Sequence, residues 1–162
     1  MSDEKFIRRC IELAERSLES GENPFSALVV RDGKIISEST NKATQKIFLH
    51  AEIVAMNEAK EKLGDLSDCV LYSNCEPCPM CAFMAREFKV GKVVYALSSP
   101  FMGGHTRWNI LEDDEITQFE PYFAKPPKVV KNVLEKDARK AFDKAGLWMF
   151  GSHLIKKARR RR

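Results

Sequence analysis

The apolar positions near the N-terminus recur with the period of an α-helix and are followed by an unbroken apolar run. Four residues repeat at three- or four-residue intervals and predict the first helix: Ile7, Ile11, Ala14 and Leu18. Ser2 is placed to cap this helix and Gly21 to end it. The run PFSALVV at 24–30 predicts a buried strand, and Asp32-Gly33 predicts a hairpin turn into a second strand, IISES.

Further along the chain, helical and strand-like patterns alternate. The predicted elements are a helix at 50–64, a strand at 69–73, a helix from about 80 to 88, a strand at 92–97, and a short strand leading into a final amphipathic helix at 128–146. Residues 98–127 are rich in proline and glycine and are predicted to be irregular, with one short helix near RWNILEDDEI. This alternation favours an α/β sheet with helices on both faces.

Length and composition fit one globular domain. The chain has 162 residues, of which 44% are hydrophobic and 31% are charged. It holds no apolar run long enough for a membrane span, and the charged start MSDEKFIRR differs from a secretory signal. We therefore expect a cytoplasmic protein, in which clustered cysteines stay reduced and indicate metal binding or catalysis.

The C-terminus carries a dense positive charge. The tail at 156–162 holds six of the 27 basic residues, which leaves 21 basic against 23 acidic residues in the predicted domain at 1–155. Such a tail can bind the phosphates of a nucleic acid, which leaves tRNA open as a partner. It can equally be a solvated chain end.

Three cysteines and two prolines stand close together in NCEPCPMC, residues 74–81. A ferredoxin-type iron–sulfur run would need a fourth cysteine where this chain has Ala85. A redox pair of the thioredoxin kind would also occupy a strand–helix junction, but it would not account for a second motif upstream. A disulfide framework does not suit a reducing compartment.

The second motif is HAE at 50–52, which with the cysteine run gives the pattern H-x-E … P-C-x-x-C. His50, Cys78 and Cys81 offer one imidazole and two thiolates, a set that zinc accepts while a fourth position stays open for water. Both ligand groups are at predicted helix starts, where the helix dipole favours thiolate. Glu52 is near the metal without being needed as a ligand, so it can carry protons. This combination is the signature of zinc deaminases.

At these motifs the chain resembles the cytidine deaminase-like superfamily, and within it the guanine deaminase and tRNA adenosine deaminase branch. The stretches NPFSALVV, HAE and CEPCPMC carry the likeness. The resemblance implies a three-layer α/β/α sandwich around a central five-stranded mixed sheet, and a homodimer. It further implies that His50, Cys78 and Cys81 bind Zn²⁺ and that Glu52 transfers protons. Cys75 would pack near the site without binding the metal.

The same resemblance implies contacts with the substrate. The residues concerned are Phe25 and Asn41 through their side chains, and Ala51 and Cys78 through their backbone N–H groups. Asn41 in a polar loop can also be a simple turn residue, and Phe25 an ordinary core residue.

Some features depart from the family pattern. Asn41 and His50 are nine residues apart, a shorter spacing than the family usually has. The bulky pair FM stands two places after Cys81, where the family commonly has a small Gly-Ala pair. The segment SSPFMGGHTRWNIL at 98–111 matches no family role, and its His105 is expected to be an exposed loop residue.

We therefore expect a zinc-dependent hydrolase that removes an amino group from a nucleobase-like ring and releases ammonia. A small free base or nucleoside, guanine-like first, is the expected substrate, because CEPCPMC and the acidic body fit that branch. Deamination of the wobble adenosine of tRNA is the alternative enzymatic function, which the basic tail favours. A non-catalytic zinc module that acts through interactions is the third hypothesis. Glu52 counts against it, since a structural site needs no proton carrier.

Overall fold

A computed structural model describes residues 2–147 and 149–150, and it confirms the predicted alternation of helices and strands. Trp148, the basic tail and the predicted domain boundary after residue 155 lie outside the described residues. The elements in chain order are α1 (Asp3–Glu19), β1 (Ser26–Arg31), β2 (Lys34–Thr40), α2 (Ala51–Leu63), β3 (Val70–Cys75), α3 (Pro79–Glu87), β4 (Lys92–Leu97), a 3₁₀ helix (Glu115–Phe119), β5 (Lys128–Val130) and α4 (Glu135–Lys144).

The five strands form one mixed sheet in the order β2-β1-β3-β4-β5. β1 is antiparallel to both of its neighbours, whereas β3, β4 and β5 are parallel. The predicted hairpin turn joins β1 to β2, and the φ angles of Asp32 and Gly33 are both positive, at 49° and 72°. Positive φ at both central residues is what a type I′ turn requires.

Helices cover both faces of this sheet. Alternate side chains of β3 show the division, because Leu71 packs with Met56 of α2 while Tyr72 packs with Ile7 of α1. On the second face α4 joins α1 through Ala138. Burial on both faces explains why the interior strands β1 and β4 are nearly continuous runs of apolar residues, whereas the edge strand β2 is more polar. The arrangement is the three-layer α/β/α sandwich that the family resemblance implied.

The short helix predicted near RWNILEDDEI is displaced toward the C-terminus, to Glu115–Phe119. The buried guanidinium of Arg86, at the end of α3, organises this segment. It donates to the backbone carbonyls of Ile110, Asp113 and Ala124. Because these carbonyls point at Arg86, the stretch around residues 110–113 satisfies its polar groups outside a regular helix.

The buried face of α1 differs in part from the predicted one. Ile7 and Ala14 are buried as expected, but Ile11 and Leu18 are only partly covered. The remaining buried positions of this helix are Phe6, Cys10, Leu13 and Ser17. Among the described residues, no helix has the length and hydropathy needed to cross a bilayer.

Asn74 ties the end of β3 to the entrance of β1. Its Oδ1 accepts a hydrogen bond from the Ser26 N–H at 2.9 Å, and its Nδ2 donates to the Pro24 carbonyl at 2.8 Å. The side chain is fully buried. Asn74 therefore fixes the backbone on both sides of Phe25.

We predict that Asn74→Ala lowers the free energy of unfolding by about 2–4 kcal/mol, because it leaves two buried backbone groups without partners. Asn57→Ala is the matched control, since Asn57 is exposed and makes one bond, to the Ile53 carbonyl. Urea denaturation of both variants measures the difference. Equal losses would show that the Asn74 bonds contribute little.

Candidate active site

Three metal-binding side chains meet where α2 and α3 begin. His50 directly precedes α2, Cys78 directly precedes α3, and Cys81 is in the first turn of α3. The Nδ1 atom of His50 lies 3.5 Å from the Sγ atoms of both Cys78 and Cys81. The two sulfur atoms are 3.6 Å apart. The structure thus brings together the three ligands that the sequence predicted.

These separations fit a tetrahedral zinc ion. With Zn–S bonds of about 2.3 Å and a Zn–N bond of about 2.0 Å, tetrahedral angles separate two ligand sulfurs by about 3.8 Å and a sulfur from a nitrogen by about 3.5 Å. The observed distances of 3.6 Å and 3.5 Å agree with both values. One imidazole and two thiolates also form a donor set that binds zinc in preference to magnesium or calcium, which take oxygen ligands.

The electrostatics of the cluster favour a thiolate at Cys78. A hydrogen bond from the Cys81 thiol, together with one from His50, lowers the pKa of Cys78 to about 4. The same contact with Cys78 raises the pKa of His50, and the hydrogen bond to Cys78 together with burial raises that of Cys81. A thiolate is the form in which cysteine binds metal.

Glu52 lies beside the cluster in the first turn of α2. Its side chain is buried, with 4% of the residue exposed. Oε1 accepts a hydrogen bond from the Ser73 hydroxyl at 3.0 Å, and Oε2 is 3.6 Å from Cys81 Sγ. Burial, and then the negative charge of Cys78, raise the pKa of this carboxyl. A carboxyl with a raised pKa can both accept and release a proton near neutral pH.

A cavity of about 120 Å³ opens beside the cluster. His50, Glu52 and Cys78 form part of its lining, and Phe25, Asn41 and Phe150 form another part. Ala51 is buried where α2 begins, so its N–H, like that of Cys78, is at a helix start and has no partner within its own helix.

Asn41 and Phe25 are held in place by defined contacts. The Asn41 side chain, in a residue 4% exposed, donates through Nδ2 to Glu22 at 3.3 Å, and its backbone N–H donates to the Phe25 carbonyl at 2.9 Å. The Phe25 ring packs edge-on against Phe142 and Phe150, with ring centroids 5.3 Å and 5.4 Å away. Phe25 is therefore both a core residue and a wall of the cavity.

Cys75 is also close to the cavity, but it lies outside the three-residue cluster. It is buried in a small apolar cluster with Leu97 and Phe142. This placement agrees with the expected packing role.

Glu76 supports the loop beside the cavity, a role that its sequence context did not predict. Its buried carboxylate accepts hydrogen bonds from the backbone N–H groups of Ser99, His105 and Thr106, at 2.7, 3.0 and 2.6 Å. A Cβ atom at Gly103 would lie 1.9 Å from Glu76 Oε1, so a larger residue here would push the carboxylate away from these hydrogen bonds. Two features of the sequence could have indicated this role: an acidic residue inside the cysteine motif, and the glycine pair in the loop downstream.

The loop held by Glu76 also contacts the backbone around Pro77, directly before Cys78. The Gly104 N–H donates to the Pro77 carbonyl at 2.8 Å, and a Cβ atom at Gly104 would lie 2.4 Å from the Ala82 Cβ. The segment SSPFMGGHTRWNIL thus supports the backbone that carries Cys78.

His105 is not the exposed loop residue that we expected. Its side chain is only 8% exposed. Nδ1 is 2.8 Å from the Tyr95 hydroxyl, and Nε2 is 3.1 Å from a Glu112 carboxylate oxygen. By contrast, Trp108 is half exposed, and the Arg107 guanidinium lies 5.7 Å from its ring. The contacts with Tyr95, on β4, and with Glu112 cover the His105 ring.

A family model described as the cytidine and deoxycytidylate deaminase zinc-binding region matches residues 1–97. The chain belongs to this family of zinc deaminases. The tRNA-specific adenosine deaminase of Bacillus subtilis is 34% identical to it over 140 residues, which cover 83% of each protein. The guanine deaminase of the same organism is 43% identical over 86 residues, which cover 50% of this chain and 55% of that deaminase.

A solved structure agrees with the fold of this zinc deaminase. The structure belongs to a study of A-to-I editing by tRNA:A34 deaminases at the wobble position of transfer RNA. It matches with a TM-score of 0.71 at 26% identity, covering 85% of this chain and 98% of the other. Family membership and the His-Cys-Cys cluster together identify zinc as the cofactor of an enzyme that acts on nucleobase or nucleoside amines.

We predict that Cys78→Ser loses zinc or binds it far more weakly, whereas Cys75→Ser keeps about one zinc per chain, because only the first removes a thiolate from the three-ligand set. Metal analysis of the purified variants after dialysis measures this difference. Equal zinc loss in both variants would contradict the ligand assignment.

Proposed function

We propose that this protein is a hydrolytic deaminase whose substrate is a free, guanine-like base. In this proposal His50, Cys78 and Cys81 hold the zinc. Zinc, when bound at such a site, supplies the Lewis acidity that makes water a nucleophile near neutral pH. Proton transfer and binding of the base are assigned to side chains and backbone groups around the cavity.

Glu52 is the proposed proton carrier. It accepts one proton from the attacking water and passes it to the ring nitrogen next to the amine-bearing carbon. It then takes the second proton, from the hydroxyl group added to that carbon, and gives it to the departing amine. The carbon–nitrogen bond breaks, the ring carbon gains an oxygen, and the product amine departs as ammonia. The buried carboxylate in the cavity wall, 3.6 Å from the ligand sulfur of Cys81, supports this role.

The remaining wall residues are assigned to binding the base. We infer that Phe25 packs against the ring and that the Asn41 amide hydrogen-bonds its polar edge. The N–H groups of Ala51 and Cys78, at two helix starts, are suited to stabilise negative charge that develops on oxygen.

The observation that carries the choice of a free base is the guanine deaminase relative, which is 43% identical over its matched residues, against 34% for the tRNA deaminase relative. The size of the cavity is compatible with a base. Its volume is about 120 Å³, with Phe25 and Phe150 in its wall. For comparison, an apolar protein cavity of about 150 Å³ takes up benzene. A planar base can enter such a space in part while any sugar or phosphate stays outside it, which holds for a free base and for the flipped-out base of a polynucleotide alike.

A second candidate, deamination of the tRNA wobble adenosine, has support of its own. The tRNA deaminase relative matches more of the chain than the guanine deaminase does, at 83% against 50%. The half-exposed Trp108 with Arg107 beside it offers a surface on which an RNA base can stack. The dimer and the cytoplasmic location stay predictions from the sequence. The third hypothesis, a non-catalytic zinc module, is disfavoured by membership of the deaminase family.

We predict that Glu52→Gln deaminates guanine at least about a hundredfold more slowly than the unmodified protein, because an amide cannot carry the proton. Zinc content is expected to stay the same. Ammonia release from guanine measures the rate, and Glu58→Gln, a change farther along α2, is the matched control. Normal turnover by Glu52→Gln would mean that another group transfers the proton.

A truncation after Ile155 separates the two substrate candidates. We predict an unchanged rate on guanine, because a free base offers no phosphates for the basic tail to bind. If the tail binds tRNA, about six neutralised phosphates would give log K against log salt a slope near −4. Activity that is found only on tRNA, and that disappears on truncation, would contradict the free-base proposal.

A further inference from the structure

Ser73 is a buried polar residue in the middle of the sheet that faces the proposed proton carrier. It lies on β3 two residues after Leu71, so its side chain points toward α2. Only 1% of the residue is exposed. Its Oγ is 3.0 Å from Glu52 Oε1, and Ser73 is not among the residues that line the cavity.

The direction of the Ser73 hydroxyl is restricted by its other neighbours. The Cys75 N–H points at Ser73 Oγ from 3.4 Å and uses it as an acceptor. The one hydroxyl hydrogen then has two acceptors in reach, Glu52 Oε1 at 3.0 Å and the Ser26 carbonyl at 3.4 Å. The shorter contact, to a carboxylate, is the stronger one.

The terminal torsion of a glutamate is soft, so a single fixed donor can decide how its carboxylate is turned. In Glu52 one oxygen is held by Ser73, and the other lies 3.6 Å from Cys81 Sγ, on the side of the ligand cluster. Without the Ser73 hydroxyl, the Glu52 carboxylate would lose the hydrogen bond that fixes which of its two oxygens faces the ligand cluster.

We propose that Ser73 is a positioning residue that orients the Glu52 carboxylate, so that Oε2 faces the reaction site while Oε1 is held by β3. The inference rests on the proposed role of Glu52 as proton carrier. It extends that role to a residue that touches neither the cavity nor the metal ligands.

The alternative is that Ser73 is an ordinary buried serine that contributes only stability. Ser37 provides the comparison, because it is also a buried strand serine that donates to α2, to the Ala55 carbonyl at 2.7 Å. That bond involves neither Glu52 nor any charged group. Ser37→Ala therefore reports the general cost of removing such a hydroxyl.

The test compares zinc-loaded, full-length Ser73→Val and Ser73→Thr, which have nearly the same shape and differ in the hydroxyl. We expect Ser73→Val to lower kcat on guanine by about ten- to a hundredfold, the usual scale for losing a supporting hydrogen bond, with KM and zinc content unchanged. Ser73→Thr is expected to recover most of the rate, and Ser37→Ala to keep it. Unchanged kcat in Ser73→Val, or equal losses in Ser73→Val and Ser37→Ala, would overturn the proposal.

A crystal structure of the zinc-loaded valine variant gives a readout that does not depend on activity. We expect the Glu52 carboxylate to be rotated or split between two orientations, and an unmoved carboxylate would overturn the proposal. The Glu52→Gln variant separates the two claims. If it turns over guanine normally, or if guanine is no substrate, the proposed function fails, and the carboxylate orientation alone decides the role of Ser73.

Discussion

The site depends on the place where β3 ends, because four consecutive residues there hold four different parts of it. Ser73 donates a hydrogen bond to Glu52. Asn74 hydrogen-bonds the backbone around Phe25. Cys75 forms part of the cavity wall, and Glu76 holds the loop that follows β4. The chain then passes through Pro77 directly into the metal ligand Cys78. A shift in the register of β3 would therefore displace the Glu52 side chain, the aromatic wall of the cavity and the loop that carries Cys78 together.

Two helix starts complete this arrangement. His50 before α2 and Cys78 before α3 approach each other because both helices pack on the same face of the sheet, through residues such as Ala55 and Ala85. The small side chains permit the close approach, and the positive ends of the helix dipoles favour the anionic ligands between them. Fold and metal chemistry thus impose compatible requirements on the same few residues.

The sequence was informative wherever chemistry was concentrated in a short motif. The grouping of His50, Cys78 and Cys81 beside Glu52 was predictable because H-x-E and P-C-x-x-C combine residue types that suit one metal. The strands were predictable because apolar runs are bounded by turn residues. His105 was misjudged because its burial comes from long-range contacts with Tyr95 and Glu112 that no local pattern encodes. The short helix was misplaced for a similar reason, since the carbonyls of its segment bind the distant Arg86.

The central claim is that one zinc ion is bound by one imidazole and two thiolates, with its fourth position open toward the cavity. X-ray absorption spectroscopy at the zinc edge of the purified protein tests this most directly. The account predicts two sulfur atoms at about 2.3 Å and two nitrogen or oxygen atoms at about 2.0–2.1 Å, one from His50 and one from solvent. Three or four sulfur neighbours, which would bring Cys75 into the shell and close the site, would contradict it.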